Sequence, residues 1–185
     1  MSTSETRPCW IVGFGNRARR DDGIGPYVVE RLKGEAAHRQ GVHLLALPQL
    51  RADLAEDLRA AERFVFVDAT VETPAGGRRW RRLYPQMRTL PYLTHHVDPA
   101  FLLGLIETLY GRAPSAWLVS INGSDFGFGE GFSPEVVRTA DRVCREISGF
   151  ICRSRETIMD SVRAPAMDAF RAAKNSPAGE RKVNL

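Results

Sequence analysis

The chain reads as an α/β protein: a mostly parallel sheet covered by helices on both faces. Three observations predict it. Short apolar runs recur along the sequence with helical stretches interspersed, the order expected of a parallel sheet with helical crossovers. Arg63-Phe64-Val65-Phe66-Val67-Asp68 is continuously apolar between its charged ends, as a central strand buried on both faces must be. Asp98-Pro99 and Ser133-Pro134 are helix starts, each a capping side chain followed by proline at the first helical position.

The elements follow in order. A strand at 9–14 leads through a glycine-bearing turn to a helix at 26–37. A strand at 42–47 precedes a short helix at 52–61, and the central strand occupies 64–67. Gly76-Gly77 turns the chain into a strand at 80–84, followed by a helix at 99–110. A strand at 116–121 and a helix from 134 onward complete the pattern. The domain is read as 1–150. Residues 151–185 are a helical extension interrupted by Pro165, or a polar tail that frays toward Leu185.

A chain of 185 residues with 43% apolar content can build one domain with a real core. No stretch reaches the roughly twenty apolar residues that span a bilayer, and no signal-peptide pattern opens the chain. The three cysteines, Cys9, Cys144 and Cys152, form no disulfide framework and are expected to be buried small apolar residues. The expectation is a cytoplasmic, monomeric protein without membrane contact. Net charge is +4, and its densest cluster is Arg78-Arg79-Trp80-Arg81-Arg82. Alternation sends these arginines to both sides of one strand, so a protected edge strand is expected rather than a nucleic-acid surface.

The chemistry-bearing residues gather at strand ends. Gly13-Phe14-Gly15-Asn16 through Asp21-Asp22-Gly23-Ile24-Gly25-Pro26 lies on a strand-to-helix turn, where open α/β sheets bind ligands. Gly13-x-Gly15-x-x-Ala18 nominally fits a dinucleotide fingerprint, but the two aspartates would repel a phosphate there, and no acid follows the second strand to hold a ribose. Asp21 and Asp22 equally suit helix capping. Asp68 ends the central strand at the same edge, as a turn cap or as a ligand. Thr94-His95-His96-Val97-Asp98 precedes a helix that starts near that edge. Two carboxylates and one imidazole suit a divalent cation with open positions, or acid–base work without metal. No thiolate set and no GxSxG nucleophile motif occur.

Four segments in order carry a family resemblance: residues 11–16 through Asp21-Asp22-Gly23-Ile24-Gly25, then Phe64 to Ala69, then Thr94-His95, then Gly127-Phe128-Gly129-Glu130-Gly131-Phe132-Ser133-Pro134-Glu135-Val136. Over residues 9–150 the chain resembles the [NiFe]-hydrogenase maturation endopeptidases. The resemblance implies a three-layer α/β/α sandwich with a mostly parallel, about five-stranded sheet. It implies an endopeptidase that removes the C-terminal extension of a hydrogenase large-subunit precursor after nickel insertion. It places a metal-binding, catalytic trio at Asp22, Asp68 and His95, with His96 as the alternative to His95. The nickel is expected to arrive with the substrate; the other option is a resident divalent metal. A non-proteolytic chaperone that checks the metal is the alternative function. Asp22 stands where the family often has Glu, residues 49–54 lack a glycine-rich turn, and the tail after Phe150 is unlike the best-known members, which marks a divergent branch.

Overall fold

The computed structural model describes residues 8–36, 39–72, 76–87 and 97–152. Five strands form one sheet in the order β2-β1-β3-β5-β4. They are β1 (Cys9–Phe14), β2 (Val42–Leu47), β3 (Arg63–Thr70), β4 (Arg78–Leu83) and β5 (Ser115–Asn122). All neighbours pair in parallel except β4, which runs antiparallel to β5 at the sheet's edge. The helices are α1 (Ile24–Ala36), α2 (Leu54–Asp57), α3 (Pro99–Tyr110) and α4 (Pro134–Cys152), and a 3-10 turn, Arg20–Gly23, precedes α1.

Side chains alternate across the strands, so one sheet supplies two cores. Ile11, Val65, Val67, Val119 and Ile121 pack against Val28, Val29 and Leu32 of α1 and Val136, Ala140, Val143 and Ile147 of α4. On the other face, Val12, Phe64, Phe66, Ala116 and Leu118 pack against Leu54 and Ala55 of α2 and Leu102, Leu103 and Ile106 of α3. This is the three-layer arrangement the resemblance implies.

The chain leaves β1 for β2 through α1 on one face, then returns past β1 to β3 through α2 on the other. The connections diverge between β1 and β3, which leaves a crevice beyond their carboxyl ends, the ligand edge of such sheets. The amino end of α3 lies at the same edge. Arg112, just past α3, donates to the carbonyls of Arg59 and Ala61, which precede β3 at the opposite edge. The helix therefore runs back toward the carboxyl ends from there.

Several elements depart from the sequence reading. β3 continues through Thr70, because Asp68, Ala69 and Thr70 stay in register with Ser120, Ile121 and Asn122 of β5. The helix after β2 shrinks to Leu54–Asp57, while α1 starts at Ile24, two residues before Pro26. Cys9 and Cys144 are buried, whereas Cys152 is exposed. β4 is an edge strand, but its arginines are not simply solvated. Arg78 pairs with Glu146 of α4, Arg79 bonds Glu72 at 2.6 Å, and Arg82 lies 5.3 Å from the Trp117 ring centre. Asp98 caps α3 as read, accepting from the Phe101 N–H at 2.8 Å. Among the described residues no helix is long and apolar enough to cross a membrane. The extension or tail expected at 151–185 lies outside the described residues from 153 onward.

Candidate active site

The turn after β1 is built on close backbone approach. Gly15 has φ +142°, and a Cβ there would lie 1.9 Å from the Asp22 carbonyl oxygen. Gly13 and Gly25 pack on each other the same way, a Cβ on Gly13 falling 2.1 Å from the Gly25 carbonyl oxygen. Only glycine fits such contacts. The 3-10 turn is consequently pressed against the end of β1. Arg20 sits in it at φ +44°, a left-handed conformation that a non-glycine residue adopts at a cost. Its backbone N–H donates to the Gly129 carbonyl at 3.3 Å and its guanidinium pairs with Asp125 at 2.7 Å, which hold it there.

The two adjacent aspartates have separate fates, and neither caps α1. Asp21 is fully buried. Its Oδ2 accepts from the Ser124 N–H at 2.8 Å, the Asp125 N–H at 2.9 Å and the Ser133 hydroxyl at 2.7 Å, while Oδ1 accepts from the Ser133 N–H at 2.7 Å. Burial alone would raise its proton affinity, but the donated hydrogen bonds outweigh it and hold the carboxyl below its ordinary value. The Ser133 hydroxyl, read from sequence as a helix cap, is thus directed to Asp21.

Asp22 points the other way. It is half-buried, and its Oδ2 accepts from the Asn16 N–H at 2.9 Å. Asp68, the sixth of the eight residues of β3, shares the α2/α3 face with Phe64 and Phe66 by alternation. Its Oδ1 accepts from the Ala69 N–H at 2.8 Å. Burial pushes the Asp68 carboxyl up to about 7, against the pull of that one hydrogen bond, and the charge of Asp22 adds to the rise. The turn after β1 and the end of β3 therefore bring two carboxylates into electrostatic contact at the β1/β3 crevice.

Chemically, this pair has two uses. A carboxyl that titrates near neutral pH can take and return a proton. Two mutually repelling carboxylates with few donors also fit a divalent cation, which relieves the repulsion and favours oxygen ligands. His95 and His96 lie outside the described residues, and among the described residues no cluster of three His, Cys, Asp or Glu side chains forms. The described chain resumes at Val97, which packs on the α2/α3 core at the start of α3, the face that carries Asp68.

Sequence reasoning missed the loop of residues 123–133 as part of this site. It is zipped to the turn by the Asp21 bonds, by Asp21 N–H to the Asp125 carbonyl at 3.0 Å, and by Gly129 N–H to the Ala18 carbonyl at 2.9 Å. The signal was its glycine-rich run ending in Ser133, which matched a family segment but named no partner for Asp21.

The fold and the paired carboxylates define the class first: an α/β/α sandwich with an acidic site at its β1/β3 switch point. Comparison with solved structures gives the particulars. The chain is similar to the [NiFe] hydrogenase maturation protease HycI of Thermococcus kodakarensis at 24% identity and TM-score 0.63, over 82% of this chain and 96% of that one. It is similar to the hydrogenase maturating endopeptidase HybD of E. coli at 18% identity and TM-score 0.64, over 78% and 91% of the two chains. A hydrogenase 2 maturation peptidase from a Thaumarchaeota archaeon matches at 20% identity and TM-score 0.58, over 78% and 98%. No protein-family model and no curated protein matches the chain. The fold is that of the hydrogenase maturation proteases.

Proposed function

We propose that this chain is a hydrogenase maturation endopeptidase that removes the C-terminal extension of a [NiFe]-hydrogenase large-subunit precursor once nickel is in place. The observation that carries the reading is Asp68, a carboxyl raised to about 7 beside Asp22 at the switch point of this fold. The fold shared with a hydrogenase maturation protease and a hydrogenase maturating endopeptidase supports the reaction class. In this reading Asp22, Asp68 and His95 ligate the nickel that the precursor carries. His95 stands two residues before Val97 in sequence, a span of at most about 7 Å.

The paired acids make sense as a reporter of loading. Without a cation the two carboxylates repel, and Asp68 keeps its proton near neutrality. A nickel-bearing precursor supplies the charge that lets both ionise, so docking is favoured only by a loaded substrate. The protein works in this reading as a cytoplasmic monomer.

The test is incubation with nickel-loaded and nickel-free precursor, followed by mass spectrometry of the large subunit. Loss of the extension from the loaded form alone, absent with Asp68→Asn, is the expected result. Stable capture without cleavage would overturn it in favour of a metal-checking assembly chaperone. Equal cleavage of nickel-free precursor would remove the loading role while keeping the peptidase.

A further inference from the structure

We infer that Asp21 is a positioning residue: its buried carboxylate locks the loop of residues 123–133 onto the 3-10 turn and so fixes Asp22 opposite Asp68. The inference rests on the reading of Asp22 and Asp68 as the reactive pair. It concerns a residue that is sealed from solvent and whose carboxylate is engaged by Ser124, Asp125 and Ser133.

The geometry works as a vice around Asp22. On one side is Gly15, whose missing Cβ lets the Asp22 carbonyl sit against the end of β1. On the other is the 123–133 loop, bound through four hydrogen bonds to the Asp21 carboxylate. Gly123 is part of the same fit, because a Cβ there would come within 2.9 Å of the Asp21 Cβ. The turn between these jaws is only Arg20–Gly23 and includes the left-handed Arg20; α1 anchors it at Ile24, but its amino-terminal side, through Arg20 and Asp21, is held by the 123–133 loop. Its shape depends on the jaws. Asp22 follows Asp21 directly, and a short 3-10 turn transmits a shift of one residue to the next.

The chemistry of the donors explains why an aspartate is needed. Every atom aimed at the carboxylate is an N–H or O–H, and an anion accepts all of them. Asparagine has the same shape but turns one oxygen into an NH2 group. That group would face either the Ser133 N–H or the donors from Ser124 and Asp125. One jaw then opens.

The experiment follows hydrogen exchange and cleavage in Asp21→Asn, Ser133→Ala and Asp22→Asn. The Asn16 N–H, which donates to Asp22, reports where Asp22 is without reference to activity. Its exchange should quicken about tenfold in folded Asp21→Asn, and less in Ser133→Ala, while the amides of β3 keep wild-type protection. Cleavage should lose about tenfold in kcat with KM within about twofold, and Asp21→Asn should add nothing further in an Asp22→Asn background. Ser133→Ala keeps the test open if Asp21→Asn fails to fold. Wild-type exchange at Asn16 in both variants overturns the inference. A further loss of kcat in the Asp22→Asn background also overturns it, since Asp21 would then act by another route. Full cleavage by Asp22→Asn alone overturns the reading of the reactive pair instead, and the Asn16 exchange still decides whether Asp21 sets its position.

Discussion

Asp21 and Asp68 are both aspartates withdrawn from water at one edge of one sheet, yet their surroundings push them in opposite directions. Asp21 meets three backbone N–H groups and a hydroxyl, and its carboxyl is held below the ordinary value. Asp68 meets a single N–H and the like charge of Asp22, and its carboxyl rises to about 7. Burial is common to the two, so burial does not decide. The supply of donors does. A carboxylate met by donors stabilises the fold, and one met by another carboxylate is held ready for a cation or a proton.

The sharpest way to break this contrast is to neutralise each acid with its isostere. Asp21→Asn should destabilise by about 2–4 kcal/mol, the cost of turning a satisfied buried anion into a clash between donors. Asp68→Asn should instead stabilise the fold at pH 8 by on the order of 1 kcal/mol, after solvent screening at a half-buried site is discounted. Urea melts of both variants check this, and the same sign in the two would end the comparison.

A smaller effect lies in the pH dependence. Between pH 4 and 7 folded Asp68 holds a proton that the unfolded chain has released, so its contribution makes stability fall as pH rises through that window. Asp21 has the opposite sign: its stabilisation is present above the ordinary Asp value and is lost as pH falls through its lowered one. Melts across pH 2 to 8 should lose the upper slope in Asp68→Asn and the acid limb in Asp21→Asn.

The smallest effect concerns the metal. Nickel alone should bind the isolated protein weakly, with Kd around the micromolar range or above, because two carboxylates and one imidazole leave an octahedron half unfilled. Binding should weaken below pH 7 as Asp68 takes up its proton. Calorimetry at pH 6 and pH 8 checks it. A tightly held ion that survives a chelator would mark a resident metal instead.

Much of the architecture was legible in the sequence. The apolar runs at 9–14 and 42–47 are strands β1 and β2 to the residue, and Asp98 caps α3, because apolar content and capping chemistry act locally. The placement of Asp22 beyond β1 and of Asp68 in the carboxyl-terminal half of β3 follows from the same pattern, since the carboxyl ends of parallel strands and the turns after them form the ligand edge. The division of labour between Asp21 and Asp22 was not legible. Two adjacent acids on a turn look alike until residues 124, 125 and 133, more than a hundred positions away, supply donors to one and not the other. The raised Asp68 carboxyl likewise depends on β1 and β3 lying side by side, with the turn folded back over them. Sequence set which groups could carry charge here. Tertiary structure alone decided which of them is satisfied, because donors and like charges reach a carboxylate from across the fold.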